Sequence, residues 1–531
     1  MTNTFPNNRF NFTLESDLLQ IKMNFDYDLY VEDDGKISLV RKLVERLDLD
    51  ILLSAYRHYG RKPAVDPATM LQILIFCYSE GLYSCRQIEK ACKYDLRVRS
   101  LLGGQIPPDY STINRFRQKI MPFSESILDQ FVKLLLEDGH IDLTSIYIDG
   151  TKIESMANRY TFVWKKVVLR NQENLRKKVC NELDLDESLE VAFVRDELKK
   201  KLYALWEEVK REGIAFVYGK GKRKTPLQRE IETAEKWMNR FLNYEKDLKI
   251  MGERNSYSKT DPDATFMRMK DDHMRNGQLK PAYNIQFASS GQFVVGAFGS
   301  HHPSDMPTLR LFLDQLLPKY DGEFCRIVCD SGYESIENYT YIEKQKLEAF
   351  IKPSNYETSK TKKHQQNPGL RENMTYVAED DYYICQNGKK LLRQNDGLST
   401  RKSGFKEKLR RYRCFECEGC PLVKQCQRCG KTENPKTKGI SFSPEFQRLR
   451  EQSRKNILSN EGINERLNRS IQAEGAFSRL KDGLSYQRFR HRGLKNILSE
   501  MHLMAVAMNI NTLQGKLKRK EFKFIRYEKV A

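Results

Sequence analysis

Hydrophobic positions change period several times along the chain, and each change marks an element. Residues 1–140 read as mostly helical. "MLQILIFCY" (Met70–Tyr78) is apolar on every side and predicts a core helix. "SCRQIEKACKYD" (Ser84–Asp95) is a short amphipathic helix with a Ser start. "PPDYSTINRFRQKI" (Pro107–Ile120) opens with the Pro, Asp and Ser of a helix N-terminus. At "SIYIDGTKIE" (Ser145–Glu154) the pattern becomes a β-branched apolar run that stops at Asp149-Gly150. From about Lys166 to Asn255 a highly charged region predicts two helices around the loop "GIAFVYGKGKRKTP" (Gly213–Pro226). There Ile231, Ala234, Met238 and Phe241 follow coiled-coil-like spacing.

Strand signals return at "AYNIQFASSGQFVVGAFG" (Ala282–Gly299), where two apolar runs flank Ser-Ser-Gly-Gln and predict a β-hairpin. "DMPTLRLFLDQLL" (Asp305–Leu317) reads as a helix. "CRIVCDSGYES" (Cys325–Ser335) is a strand ending at Asp330, and "LEAFIKPS" (Leu347–Ser354) is a further strand. Residues 355–450 lose periodicity and become polar and Cys-rich. Helical spacing resumes from Gly462 to Leu513, before a basic tail, Lys516–Val530. This order predicts an α/β fold with a mixed sheet and two insertions. The expected parts are a helical N-terminal domain (1–140), a core (141–165, 256–354 and 451–513), a helical hairpin insertion (166–255), a Cys-rich insertion (355–450) and a C-terminal tail (514–531).

Charge adds a partner. Lys and Arg number 91 against 71 Asp and Glu, a formal net charge of +20, which favours a polyanion such as nucleic acid. Arg115, Arg117 and Lys119 fall on the helix at Pro107–Ile120. Short helices with a basic last member suit a helix-turn-helix-like DNA contact, and equally an ordinary helical bundle. No run reaches the roughly 18 apolar residues of a membrane span. The N-terminus lacks a secretory pattern, so the twelve Cys are expected as reduced thiols in the cytoplasm.

Two acids end strand patterns in the same arrangement: an apolar run, then Asp, then a small residue or Gly. Either Asp149 or Asp330 alone reads as a turn-former. Together, at strand ends of one α/β sheet, they suit a ligand or catalytic role. A third acid lies in "INERLNRSIQAEGAFSRLKDGL" (Ile463–Leu484). At about 100° per residue, Glu474 falls between Ile463, Leu467 and Phe477 on the apolar face, with Lys481 on the same line. That leaves a buried Glu474–Lys481 ion pair or a metal ligand, since an unpaired buried carboxylate is costly. Gly475 would let this helix approach the sheet closely. Three converging carboxylates call for Mg²⁺ or Mn²⁺ and suit two-metal phosphoryl transfer.

At this point the chain resembles the DDE transposases of bacterial insertion sequences. "PPDYSTINRFRQKI" looks like the end of the family's helical N-terminal domain. "IYIDGTKIESMANRY" and "VCDSGYESIENY" look like its two Asp blocks, and "QAEGAFSRLKDGLSYQRFRHRG" looks like its Glu helix. "KTDPDATFMRMK" (Lys259–Lys270) also resembles a family segment. The resemblance implies an RNase H-like catalytic core and a metal-binding triad of Asp149, Asp330 and Glu474. It further implies DNA ends and target DNA as partners, and at least a homodimer on DNA. Some relatives carry a Tyr, Arg and Lys signature around the Glu. Here Lys481 occupies the Lys position, Ser470 stands at the Arg position with Arg469 one place earlier, and Leu467 stands at the Tyr position. Lys481, Arg488, Arg490, His491 and Arg492 are candidate phosphate contacts. A structure-specific nuclease on the same fold, or a silent DNA-binding descendant of a transposase, are the alternatives.

"CFECEGCPLVKQCQRCG" holds Cys414, Cys417, Cys420, Cys426 and Cys429. Repeated C-x2-C spacing favours a structural zinc over disulfides, with Cys414/Cys417 paired to Cys426/Cys429.

Overall fold

The computed structural model describes residues 9–12, 21–24, 35–54, 56, 63–219, 221–269, 277–320, 323–401, 403–427 and 437–527. A short antiparallel pair, β1 (Arg9–Phe12) and β2 (Ile21–Asn24), comes first. Seven helices follow: α1 (Lys36–Arg46), α2 (Asp50–Ser54), α3 (Pro67–Ser79), α4 (Cys85–Tyr94), α5 (Leu96–Leu102), α6 (Tyr110–Ile120) and α7 (Ser124–Glu137). The starts of α4 and α6 are as read from the sequence, while α3 begins at Pro67, three residues before the apolar run. Asp66, Ser84 and Asp109 each accept a backbone N–H from the first turn of α3, α4 and α6.

The central sheet comprises β3 (Ser145–Glu154), β6 (Thr265–Arg268), β7 (Leu279–Ser290), β8 (Phe293–Ser300), β9 (Arg326–Cys329) and β10 (Glu348–Ile351). Its path runs β10-β9-β3-β7, and both β6 and β8 pair with β7. β3, β9 and β10 are parallel; β7 runs antiparallel to β3 and β8. A meander of β3, β7 and β8 extended by two parallel strands on the β3 side is the order of an RNase H-like core. The β7–β8 turn is Gly291-Gln292, both with positive φ (58° and 71°), the backbone a two-residue hairpin requires. α11 (Thr308–Leu316) and α12 (Ile336–Lys344) connect β8, β9 and β10.

The first insertion departs from a simple hairpin. β4 (Phe162–Trp164) and β5 (Ser256–Ser258) pair at its base, and three helices stand between them: α8 (Lys165–Leu183), α9 (Val191–Glu212) and α10 (Pro226–Met251). The extra break follows from Asp184, whose left-handed backbone (φ 52°) ends α8. The predicted seam is real for Ile231, Ala234 and Phe241, while Trp237 rather than Met238 is the buried fourth member.

The second insertion is ordered. After α13 (Lys362–Gln365), strands β11 (Thr375–Val377), β12 (Tyr382–Ile384), β13 (Lys390–Thr400), β14 (Lys406–Cys414) and β15 (Lys438–Phe442) form a five-stranded antiparallel meander, with α14 (Val423–Cys426) between the last two. α15 (Pro444–Leu458) returns the chain to the core. α16 (Asn460–Arg469) and α17 (Gly475–Ser478) follow, joined by a π-helical turn at Ser470–Glu474, with another at Arg479–Gly483. α18 (Leu494–Lys518) comes last.

α18 ties the halves of the molecule together. It packs against β8, α7, α3 and α1, so the N-terminal helices share one apolar core with the sheet instead of forming a body of their own. The segment after α18 is also part of the fold. Phe524 N donates to Gly139 O (2.8 Å), and Tyr527 exchanges hydrogen bonds with Asn468 (2.7 and 3.2 Å). Lys516 is buried against Phe293. Residues 514–518 belong to α18, and Lys518, Arg519, Lys520 and Lys523 are exposed; residues 528–531 lie outside the described residues.

Candidate active site

Asp149 does not end its strand. β3 continues to Glu154 against β7, but its parallel ladder with β9 stops at Ile148↔Cys329. Asp149 is the first residue beyond that ladder, and Asp330 is the first residue beyond β9. The Asp-Gly turn reading is thereby corrected: the pair marks where one neighbouring strand leaves, opening space beside a strand that goes on. Gly150 is required there for close approach. A Cβ on it would lie 2.3 Å from the Gln286 amide and 2.7 Å from Asp305 Oδ1. Those two groups occupy the opposite face, because successive side chains alternate.

Side chains in register on neighbouring strands share a face. Tyr147 and Val328 are register partners, so Asp149 and Asp330, two residues on, point the same way. That face is covered by α15 and the Glu helix: Ala473 and Ile457 pack with Tyr147, Val328 and Phe350. Phe287, the cross-strand partner of Asp149, is stacked on Phe477 at 4.9 Å. The helix carrying Glu474 thus crosses the sheet over the two aspartates. Asp330 Oδ1 accepts Gly332 N–H (2.8 Å) and Asp149 Oδ1 accepts Gly150 N–H (2.8 Å), which orients both carboxylates. Behind them, burial raises the Cys329 thiol pKa, and the charges of Asp330 and Asp149 raise it further.

Glu474 does not face the core. It is exposed, accepting from Arg469 Nη2 (2.8 Å) and Ser470 Oγ (3.2 Å). The buried face is Glu465, Asn468, Gln472, Ala473, Ala476, Phe477 and Leu480, while Leu467 is 39% exposed. The apolar face expected from the sequence is the wrong one: Ile463 is half-buried and Leu467 exposed, while the buried residues, three and four apart from Glu465 to Leu480, lie on the side opposite Glu474. The segment also contains a π-helical turn at Ser470–Glu474. The same turn stacks residues five apart, which places Arg469 directly on Glu474. Arg469 thereby forms an ion pair with Glu474. Gly475 is corrected too: a Cβ there meets nothing within 4 Å, so close packing does not require it.

The fully buried acid of this helix is Glu465, which sequence reasoning passed over. It accepts from Ser145 Oγ (2.8 Å), Tyr147 OH (2.6 Å) and the Arg526 guanidinium. Its place on the same helical face as Asn468 and Gln472 was the available signal.

Beside Asp330 lies a hollow of about 370 Å³. Phe350 and Ile457 contribute apolar lining; Lys352, Arg466 and Arg469 contribute cations. The other candidate DNA contacts divide. Arg115 and Lys119 are exposed on α6, Lys119 over the Tyr56 ring at 3.8 Å. Arg117 is buried, donating to Tyr83 O (3.0 Å) and the His491 ring, so its assignment to a DNA surface is corrected to a core contact. His491 is itself paired with buried Glu500 at 2.8 Å. Arg488 donates to Ser155 O (3.0 Å) and Ala157 O (2.9 Å) and serves as a clamp between segments. Arg490 and Arg492 are exposed, and Lys481 is half-buried.

The Cys cluster gathers differently from its spacing. Cys414, Cys417, Cys420 and Cys426 line one cavity with Cys385, from the β12–β13 turn. Cys429 lies outside the described residues. All eleven described cysteines are free thiols. Among the described residues, no group of three or more His, Cys, Asp or Glu side chains is arranged as a ready-made metal site.

The sheet order and the helices over it define an α/β protein with an RNase H-like core and a helical N-terminal region. Residues 384–514 match the family model of a transposase DDE domain, and residues 26–119 match that of a transposase domain, DUF772. No curated protein and no solved structure matches the chain. Both matches are to transposase domains, which is consistent with a DDE transposase of an insertion sequence. The DDE match spans Glu474 and strands β13 to β15 of the Cys-rich sheet; both aspartates lie upstream of it. Among the described residues, no helix is long and apolar enough to cross a membrane.

Proposed function

We propose that this protein is a transposase that binds the ends of its element and catalyses metal-dependent DNA strand cleavage and strand transfer at Asp149, Asp330 and Glu474. The observation that carries the reading is the register of β3 and β9. It sets two carboxylates side by side on the face crossed by the Glu474 helix. Such oxygen donors fit Mg²⁺ or Mn²⁺, and Mg²⁺ is characteristically bound through one or two carboxylates plus substrate phosphates, so a preformed cage is not required. Asp149 and Asp330 would hold the ions, with Glu474 as the third carboxylate. When bound, two such ions activate a water or 3′-hydroxyl and stabilise the leaving oxygen.

The protein's own groups do the rest. Lys352, Arg466 and Arg469 line the hollow beside Asp330 and would receive a strand's phosphates. Arg469 and Ser470 hold the Glu474 side chain in place. Exposed Arg115, Lys119, Arg490 and Arg492 supply sequence-independent phosphate contacts, so binding should weaken steeply with salt. Pairing two element ends would take at least a homodimer on DNA. A cytoplasmic location follows from this reading.

The test is a cleavage and joining assay on end DNA in Mg²⁺ with Asp149→Ala, Asp330→Ala and Glu474→Ala. Loss of both reactions in folded variants is expected. Folded variants that still cut and join would remove these residues from the reaction. Cleavage without joining by the wild-type chain would instead favour a nuclease.

A further inference from the structure

The Cys-rich sheet has little to hold it together. Its apolar cluster consists of Met374, Tyr383, Leu391, Tyr412 and Cys414, with four half-buried neighbours. Cores this small usually need a cross-link. Yet the cysteines gathered at one end of the sheet form no disulfide.

Strand register explains why they meet. Tyr383 pairs with Leu391, and Leu392 pairs with Arg413. The β12–β13 turn, with Cys385 at its start, therefore lies at the same end of the sheet as Cys414. The chain then loops through Cys417 and Cys420 into α14, which ends at Cys426. These five side chains border a cavity of about 30 Å³, whose remaining walls include Pro368, Leu391, Leu422 and Val423. That is room for one small ion or water in apolar surroundings.

We propose that this cavity binds one thiophilic metal ion of the zinc class, with Cys385 as a ligand alongside thiolates of the Cys414–Cys426 segment. The site joins a ligand about thirty residues upstream to the C-x2-C run and does not need Cys429. Five thiols are present for a four-coordinate ion, so one is left over. Each ligating thiol releases its proton on binding.

The thiols now engage other partners. Cys426 Sγ donates to Pro368 O at 3.8 Å, Cys420 Sγ accepts from Asn387 Nδ2 at 3.4 Å, and Cys417 is in hydrogen-bond contact with Cys414. Convergence on an ion with bonds of about 2.3 Å needs side-chain rotation between staggered wells, which leaves strand pairing intact. Two features suit thiolates in particular. The Asn387 amide already donates to one sulfur, as outer-shell groups of metal sites do. Lys438, whose Nζ donates to Cys426 O at 3.1 Å, also lines the cavity and offsets the negative charge of a tetrathiolate.

The proposal is independent of the DNA chemistry, and its test reads metal alone. The full chain, reconstituted with zinc under reducing conditions, should retain about one equivalent. Cobalt in its place should show thiolate-to-metal charge-transfer absorption. Cys385→Ser should lower zinc affinity by at least about tenfold in competition with a chelator. Cys429→Ser should leave it unchanged. Should Cys385→Ser prove insoluble, Cys385→His decides, because cobalt absorption should then fall by the share of one thiolate. Absence of zinc in the reconstituted wild type overturns the proposal. So does wild-type affinity in Cys385→Ser, or unchanged cobalt absorption in Cys385→His.

Discussion

The two large sheets keep chemically active side chains in place by different means. In the six-stranded sheet, β3 is buried at nine of its ten positions and β7 at ten of twelve. Helices on both faces hold these strands, so Asp149 and Asp330 inherit their positions from a packed core. In the five-stranded sheet, β13 and β14 alternate between solvent and a small apolar cluster. There the thiols sit at the edge of a thin core and can still move between partners. Packing gives fixed geometry in one sheet; the other leaves its geometry to be set by what binds.

That contrast makes ordered predictions. The largest concerns activity. Asp149→Asn or Asp330→Asn should lower strand cleavage more than about 100-fold, beyond the cost of disturbing a mere supporting residue. Thermal stability should change little, because the core fixes the position; a matching fall in stability would break the contrast.

Next, Leu391→Ala should cost about 2–5 kcal/mol, as expected for a fully buried leucine. Hydrogen exchange should show the loss confined to β11–β15, with the six-stranded sheet still protected. Loss spread over both sheets would mean that they unfold as one.

Glu465→Ala should cost about 3 kcal/mol, because it strips partners from Tyr147, Ser145 and Arg526. Exposed Glu474→Ala should cost under about 1 kcal/mol. Denaturant titration of both variants separates the acid that holds the sheet from the acid proposed for chemistry.

A final effect is a pH dependence. Burial pushes the His502 pKa down to about 4 from its ordinary 6.5, partly offset by Glu125. The folded state therefore resists a proton that the unfolded chain accepts. This stability is fully present above pH 6.5 and is lost as pH falls toward 4. About 2–3 kcal/mol should go between those values. His502→Asn should flatten that part of a melting-temperature profile; an unchanged profile would assign the loss to other groups.

Much of the fold is legible in local pattern. Capped helix starts, the hairpin at Ala282–Gly299 and the apolar runs leading to both aspartates follow from spacing and turn residues, which act over a few positions. The readings that fail are those needing a longer reach. Residue polarity could not foresee that Leu467 is exposed while Glu465, Asn468 and Gln472 form the buried face, which leaves Glu474 on the opposite side. Charge on α6 could not distinguish exposed Arg115 from Arg117, because burial of the latter depends on Tyr83 and a histidine far along the chain.

The sequence alone determined the core strands that lead to the two acids, the β7–β8 hairpin and the helix that follows it, since these rest on local propensity and periodicity. The tertiary structure alone decided that those acids share a face, that Arg469 meets Glu474, that Glu465 is the buried carboxylate and that Cys385 joins the other thiols. Each of these depends on strand register, helical hydrogen bonding or packing between distant segments, and none is encoded in the spacing of neighbours.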